Sequence, residues 1–113
     1  MKLIGSLAEQ LFRQELSRSW SGLGEQGNRV LPILQNRLGT INSAFVLNWT
    51  PEQAEDLYTV IVNGVDVVRI EVLRESGELV NFETNSVKEY ERSLRSRQHR
   101  IKLAVALDLA SQF

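Results

Sequence analysis

Leu57-Tyr58-Thr59-Val60-Ile61-Val62, then Asn63-Gly64, then Val65–Leu73 (VDVVRIEVL), then Glu75-Ser76-Gly77 and Leu79–Thr84 (LVNFET): this stretch decides the fold. The three apolar runs are rich in β-branched residues, which suit strands. Asn63-Gly64 fits a tight type I′ turn, because both central residues of that turn need positive φ and Asn and Gly tolerate it. Glu75-Ser76-Gly77 supplies a second turn. The stretch therefore predicts an antiparallel meander of three strands.

One register of the second hairpin agrees with itself. Leu73 opposite Leu79 sets Val72 against Val80, Ile70 against Phe82 and Val68 against Thr84. The other face then pairs Glu71 with Asn81 and Arg69 with Glu83. A slip of one residue would invert both faces, so this agreement supports the pairing. With a two-residue loop at Asn63-Gly64, Tyr58, Val60, Val62, Val65 and Val67 share the face of Arg69, Glu71, Asn81 and Glu83. Half of that face is then apolar. A helix or a second copy of the chain must cover it, and Tyr58, Val60, Val62 and Val67 become the expected homodimer interface.

Working outward, Ala44–Trp49 reads as a strand that could join either edge, giving three or four strands. Thr50, Pro51 and Gln53 resemble a helix start, with Thr as N-cap and Pro at the first helical position. Arg29–Leu38 reads as a short helix, with Pro32 in its first turn and Gly39 as its stop. Leu3, Ile4, Leu7, Ala8, Leu11, Phe12 and Leu16 recur at helical spacing, so a helix is expected from about Lys2 to Ser19. Trp20–Asn28 reads as a loop, with Trp20 packed back over the helix end. After the meander, Ser86 and Glu89 form a capping box. A long helix is expected from Val87 to about Ala110, with an apolar stripe of Val87, Tyr90, Leu94, Ile101 and Val105 that also contains Gln98. The expected fold is one α+β domain over residues 1–113: an antiparallel three- or four-stranded meander with an N-terminal helix and a long C-terminal helix.

Composition agrees with a packed core: 42% of the 113 residues are hydrophobic and 24% charged. No run approaches the roughly 18 apolar residues of a membrane span. Glu9, Arg13 and Glu15 interrupt the N-terminal apolar residues too early for a secretory signal. With no cysteine, disulfides, thiolate metal sites and cysteine nucleophiles drop out together. The expectation is a soluble cytoplasmic protein without a membrane partner.

Charge is placed unevenly although the net is -1. Glu52–Glu91 holds ten acids against three bases, while Arg92–Lys102 holds five bases, one His and no acid. On a continuous helix Lys88, Arg92, Arg95, His99 and Lys102 lie within roughly 40° of one line. Such a line suits phosphates of nucleic acid or carboxylates of a protein partner; a solvated face is the alternative. The low net charge and the absence of aromatics between the bases weigh against nucleic acid.

Catalytic patterns are weak. Gly22-Leu23-Gly24-Glu25-Gln26-Gly27 matches G-x-G-x-x-G, but it follows a helix rather than a strand, and Glu25 would repel phosphate. His99 is the single histidine and sits among cations, which makes it a poor metal ligand. Asp56, Asp66, Glu71, Glu75, Glu78 and Glu83 fall in turns or on an open sheet face, not in the dry cleft a general acid–base pair requires. No cofactor, metal or catalytic residue is expected. The expected function is a small non-enzymatic interaction module (adaptor, regulator or immunity-type) that uses the half-apolar face and the basic helix. The alternative is nucleic-acid association through the basic stripe.

Overall fold

A computed structural model describes residues 5–113. Lys2, Leu3 and Ile4 of the expected first helix lie outside them. The order is α1 (Leu7–Leu23), α2 (Val30–Leu38), β1 (Ala44–Pro51), β2 (Glu55–Val62), β3 (Asp66–Leu73), β4 (Leu79–Ser86), α3 (Val87–Ser93) and α4 (Arg97–Ala110). The fold is α+β, with one four-stranded antiparallel meander in the order β1-β2-β3-β4.

Local chemistry explains where α1 begins. Gly5 takes φ 73°, and Ser6 caps the helix by accepting from the Glu9 N–H at 3.2 Å. The Glu9 carboxylate reaches back to the Gly5 N–H at 2.6 Å, a variation on the capping box. The helix runs through Trp20 to Leu23, past the expected end at Ser19. Trp20 is thus a helical residue, and its ring meets Phe113 edge-on at 6.3 Å. Tertiary packing overrides the local Ser/Gly preference here: Leu23 is buried and Trp20 touches the apolar clusters on both sides of the sheet.

The expected helix at Thr50-Pro51 does not form. Thr50 and Pro51 end β1, a short turn follows, and β2 starts at Glu55. Arg74 secures that turn, bonding the carbonyls of Glu52 and Glu55 and the Asp56 carboxylate at 3.2 Å. Pro fits here because β1 is an edge strand.

The Asn63-Gly64 turn is present, with φ 54° and 67°, and the Val65 N–H donates to the Val62 carbonyl at 3.0 Å. The register beyond it differs from expectation. Val62 pairs with Asp66, so three residues separate the strands, not two. Tyr58, Val60 and Val62 therefore sit across from Ile70, Val68 and Asp66. Val67 belongs to the opposite face. The expected interface of Tyr58, Val60, Val62 and Val67 is not one surface, and Val60, Val62 and Val67 are buried within the chain.

Both faces are covered by helices. Val60, Val62, Val68, Ile70 and Val72 pack with Val30 and Leu34 of α2. Phe45, Leu47, Ile61 and Val67 pack with Leu16 of α1 and Ile101, Val105 and Leu109 of α4. In the β3–β4 hairpin the pairs Ile70–Phe82, Val68–Thr84, Glu71–Asn81 and Arg69–Glu83 form as expected. The end does not: a bulge places Leu79 opposite Val72 and leaves Val80 48% exposed.

The long C-terminal helix is two helices at an elbow. Leu94 is extended (φ -78°, ψ 128°) and buried. Its carbonyl accepts from Arg100 Nη2 at 2.9 Å. Ser96 caps α4 toward the His99 N–H. The break sends Leu94 into the core and leaves Gln98 exposed, removing the polar residue from the apolar stripe.

The Asn63 side chain also anchors the loop before β1. Its Oδ1 accepts from the Asn42 N–H at 2.7 Å and the Ser43 N–H at 3.3 Å, and its Nδ2 donates to the Thr40 carbonyl at 3.0 Å. Asn63→Ala is expected to lower stability by about 1–3 kcal/mol, from the lost hydrogen bonds and because alanine tolerates the positive φ less well than asparagine. Urea unfolding checks this; an unchanged midpoint would show that the anchor contributes nothing.

Candidate functional site

Helices α1 and α4 cover only part of the sheet face that carries Ile61 and Val67. Beyond the apolar row lie two cross-strand rows in register: Asn48, Thr59, Arg69 and Glu83, then Thr50, Leu57, Glu71 and Asn81. A β-bulge between Val46 and Asn48 shifts the β1 register and brings Asn48 opposite Thr59. These rows floor an open groove of about 440 Å³. Arg69 and Glu83 are neighbours without forming an ion pair; Glu83 instead accepts from Asn81 Nδ2 at 3.3 Å.

The elbow bounds this groove at one end. Between sheet and elbow lies a cleft of about 220 Å³, shared by Asn48, Thr59 and Arg69 with Tyr90, Ser93, His99 and Lys102. Burial pushes the Tyr90 phenol above its ordinary value, and the positive charge of Arg69 opposes that shift. At the far end of the sheet the Tyr58 phenol is raised as well, by burial first and then by Asp56, with Arg74 opposing. Across α3 and α4 a second, more open cleft is lined by Lys88, Glu91, Arg92 and Arg100.

The five expected cations are therefore not one stripe. Lys88 and Arg92 are on α3, Arg95 is in the elbow, and His99 and Lys102 are on α4. The break at Leu94-Arg95-Ser96 destroys the common line. Lys102 is already engaged: its side chain is 13% exposed, pairs with Glu15 at 3.0 Å and lies 5.7 Å from the Phe12 ring. Lys88, Arg92, Arg95 and Arg97 are exposed and, among the described residues, form no ion pair. The elbow is thus a surface on which cations outnumber the two acids of α3, Glu89 and Glu91.

Sequence reasoning missed the junction of Arg69 and Tyr90. Alternation put Arg69 on the polar face, but nothing in the spacing brings Tyr90 beside it. Ser93 and Ser96 were the available signal for the elbow, since serine favours caps over helix interiors. The glycine pattern spans the end of α1 and the loop to α2, with Gly22 itself helical and Gly27 at φ 88°. Asp56 is held by Arg74, and Glu71 and Glu83 line the open groove. Among the described residues no three His, Asp or Glu side chains are grouped to hold a metal ion, and no helix is long and apolar enough to cross a membrane.

No protein-family model, curated protein or solved structure matches the chain. The functional reading therefore rests on the chemistry of these surfaces.

Both tyrosines of the chain have phenols raised above the ordinary value of about 10. The folded state favours the protonated phenol, so this contribution to stability is complete below about pH 10 and is lost as pH rises through the folded values. Spectrophotometric titration is expected to place phenolate formation at higher pH in the native chain than in urea. Coincident curves would contradict the burial of these rings.

Proposed function

We propose that this chain is a small non-enzymatic interaction module, of the adaptor, regulator or immunity type, that docks an acidic protein surface on its α3–α4 elbow. The observation that carries this reading is the set of exposed cations, Lys88, Arg92, Arg95 and Arg97, without ion-pair partners among the described residues. Exposed like charges repel, and a complementary acidic surface relieves that repulsion while steering encounter. His99 and Lys102 lie on the inner side of the same elbow. The apolar-face part of the expected interface drops out of the proposal, because α2 covers Val60 and Val62.

Nucleic acid is the second reading, on the same cations. It is disfavoured by the net charge of -1 and by the elbow's geometry, which gives no continuous basic helix. The cysteine-free composition is compatible with the reducing cytoplasm, the setting proposed here. Self-association is also proposed, now on α1. Leu7 and Leu11 lie one turn apart there and are 71% and 55% exposed.

Arg92→Glu combined with Arg95→Glu is expected to leave circular dichroism unchanged and to weaken binding of a labelled acidic polypeptide at least about tenfold at low salt. Equal binding by parent and variant would leave the elbow as a solvated face. An oligonucleotide that binds more tightly than the polypeptide, with a steep salt slope, would favour the second reading. Light scattering is expected to return twice the 12.9 kDa chain mass at high concentration; the mass of a single chain would remove the dimer.

A further inference from the structure

The cleft between the sheet and the inner side of the elbow has a composition that its surroundings lack. No acidic side chain lines it, although Glu71 and Glu83 line the adjoining groove. Its donors come from two elements distant in sequence: the Arg69 guanidinium on β3 and the Tyr90 phenol on α3. Neither side chain has a hydrogen-bond or ion-pair partner among the described residues. Arg69 even forgoes its cross-strand neighbour Glu83. A tyrosine phenol ionises only near pH 10, and burial raises Tyr90 further, so at neutral pH its O–H is a donor.

Charge counting selects the ligand. Lys102 is neutralised by Glu15 at 3.0 Å. That leaves Arg69, among the described residues, as the one formal charge lining the cleft that makes no ion pair. A single guanidinium beside a phenol matches a monoanion, whereas a phosphate monoester carries nearly two charges. The volume of about 220 Å³ admits one side-chain terminus and is below the usual size of a small-molecule pocket, about 300 Å³ or more.

We infer that this cleft is a carboxylate subsite, in which Arg69 and Tyr90 receive one Asp or Glu side chain of an acidic protein partner docked on the elbow. The inference rests on the proposed function and adds to it the point of specific recognition. The outer cations attract the partner without fixing its register. The inner cleft sets the register by binding one carboxylate with charge-assisted hydrogen bonds.

The test is an amide-shift NMR titration of the full chain with an oligo-glutamate peptide, with oligo-glutamine and inorganic phosphate as comparisons. Oligo-glutamate is expected to shift Thr59, Arg69, Ser93 and His99 as well as the elbow surface; oligo-glutamine is not. Arg69→Gln is expected to lower affinity about tenfold or more, and Tyr90→Phe, which removes one hydroxyl, a few-fold. In the Arg92→Glu, Arg95→Glu variant the residual binding still shifts Thr59 and Arg69. If oligo-glutamate shifts only the elbow surface, and both single variants bind like the parent, the subsite is wrong while the docking proposal stands. If phosphate shifts these residues and oligo-glutamate does not, the carboxylate assignment is wrong. If oligo-glutamate produces no shifts at all, both proposals fall.

Discussion

The turn Val62-Asn63-Gly64-Val65 is the constraint on which the rest depends. Two consecutive positive φ values reverse the chain within four residues. The third connecting residue, Val65, then sets Val62 opposite Asp66. Because side chains alternate with period two, that single extra residue decides which valines face α2 and which face α1 and α4. Asn63 adds a second duty: its amide satisfies backbone groups of Thr40, Asn42 and Ser43, so the start of β1 is tied to the same hairpin.

From that register follows a meander apolar on both faces near the turn and polar on one face farther away. Helices gather where apolar area can be buried: α2 on one side, α1 and α4 on the other. The polar rows of Asn48, Thr59, Arg69 and Glu83 and of Thr50, Leu57, Glu71 and Asn81 offer no such gain, and α3 and α4 reach only the first of them, at Asn48, Thr59 and Arg69. The open groove is thus a consequence of the same alternation that builds the core. The elbow at Leu94 closes one end of that groove and divides the basic residues into an outer surface and an inner cleft lined by His99 and Lys102.

Local patterns made much of this legible. Capping by Ser86, the Pro32 and Gly39 punctuation around α2, the Asn63-Gly64 turn and four pairs of the β3–β4 hairpin are each dictated by residues close together in the chain or by the alternation of one strand. The errors lie where local signals compete. Thr50-Pro51 matches a helix start as well as it matches the end of an edge strand, and the strand wins because β2 pairs with β1 and Arg74 braces the turn. Ser93 and Ser96 can be tolerated within a helix or can cap one; burial of Leu94 selects the caps.

By itself the sequence determined the α+β class, the meander and the uneven placement of charge, because propensity, turn chemistry and composition act over a few residues. Tertiary structure alone decided three things. It chose the hairpin register, through burial on both faces of the sheet. It broke the last helix, because a straight one could not bury Leu94 while leaving Gln98 in solvent. It also brought Arg69 beside Tyr90, a juxtaposition across 21 positions that arises only when α3 folds back over the sheet.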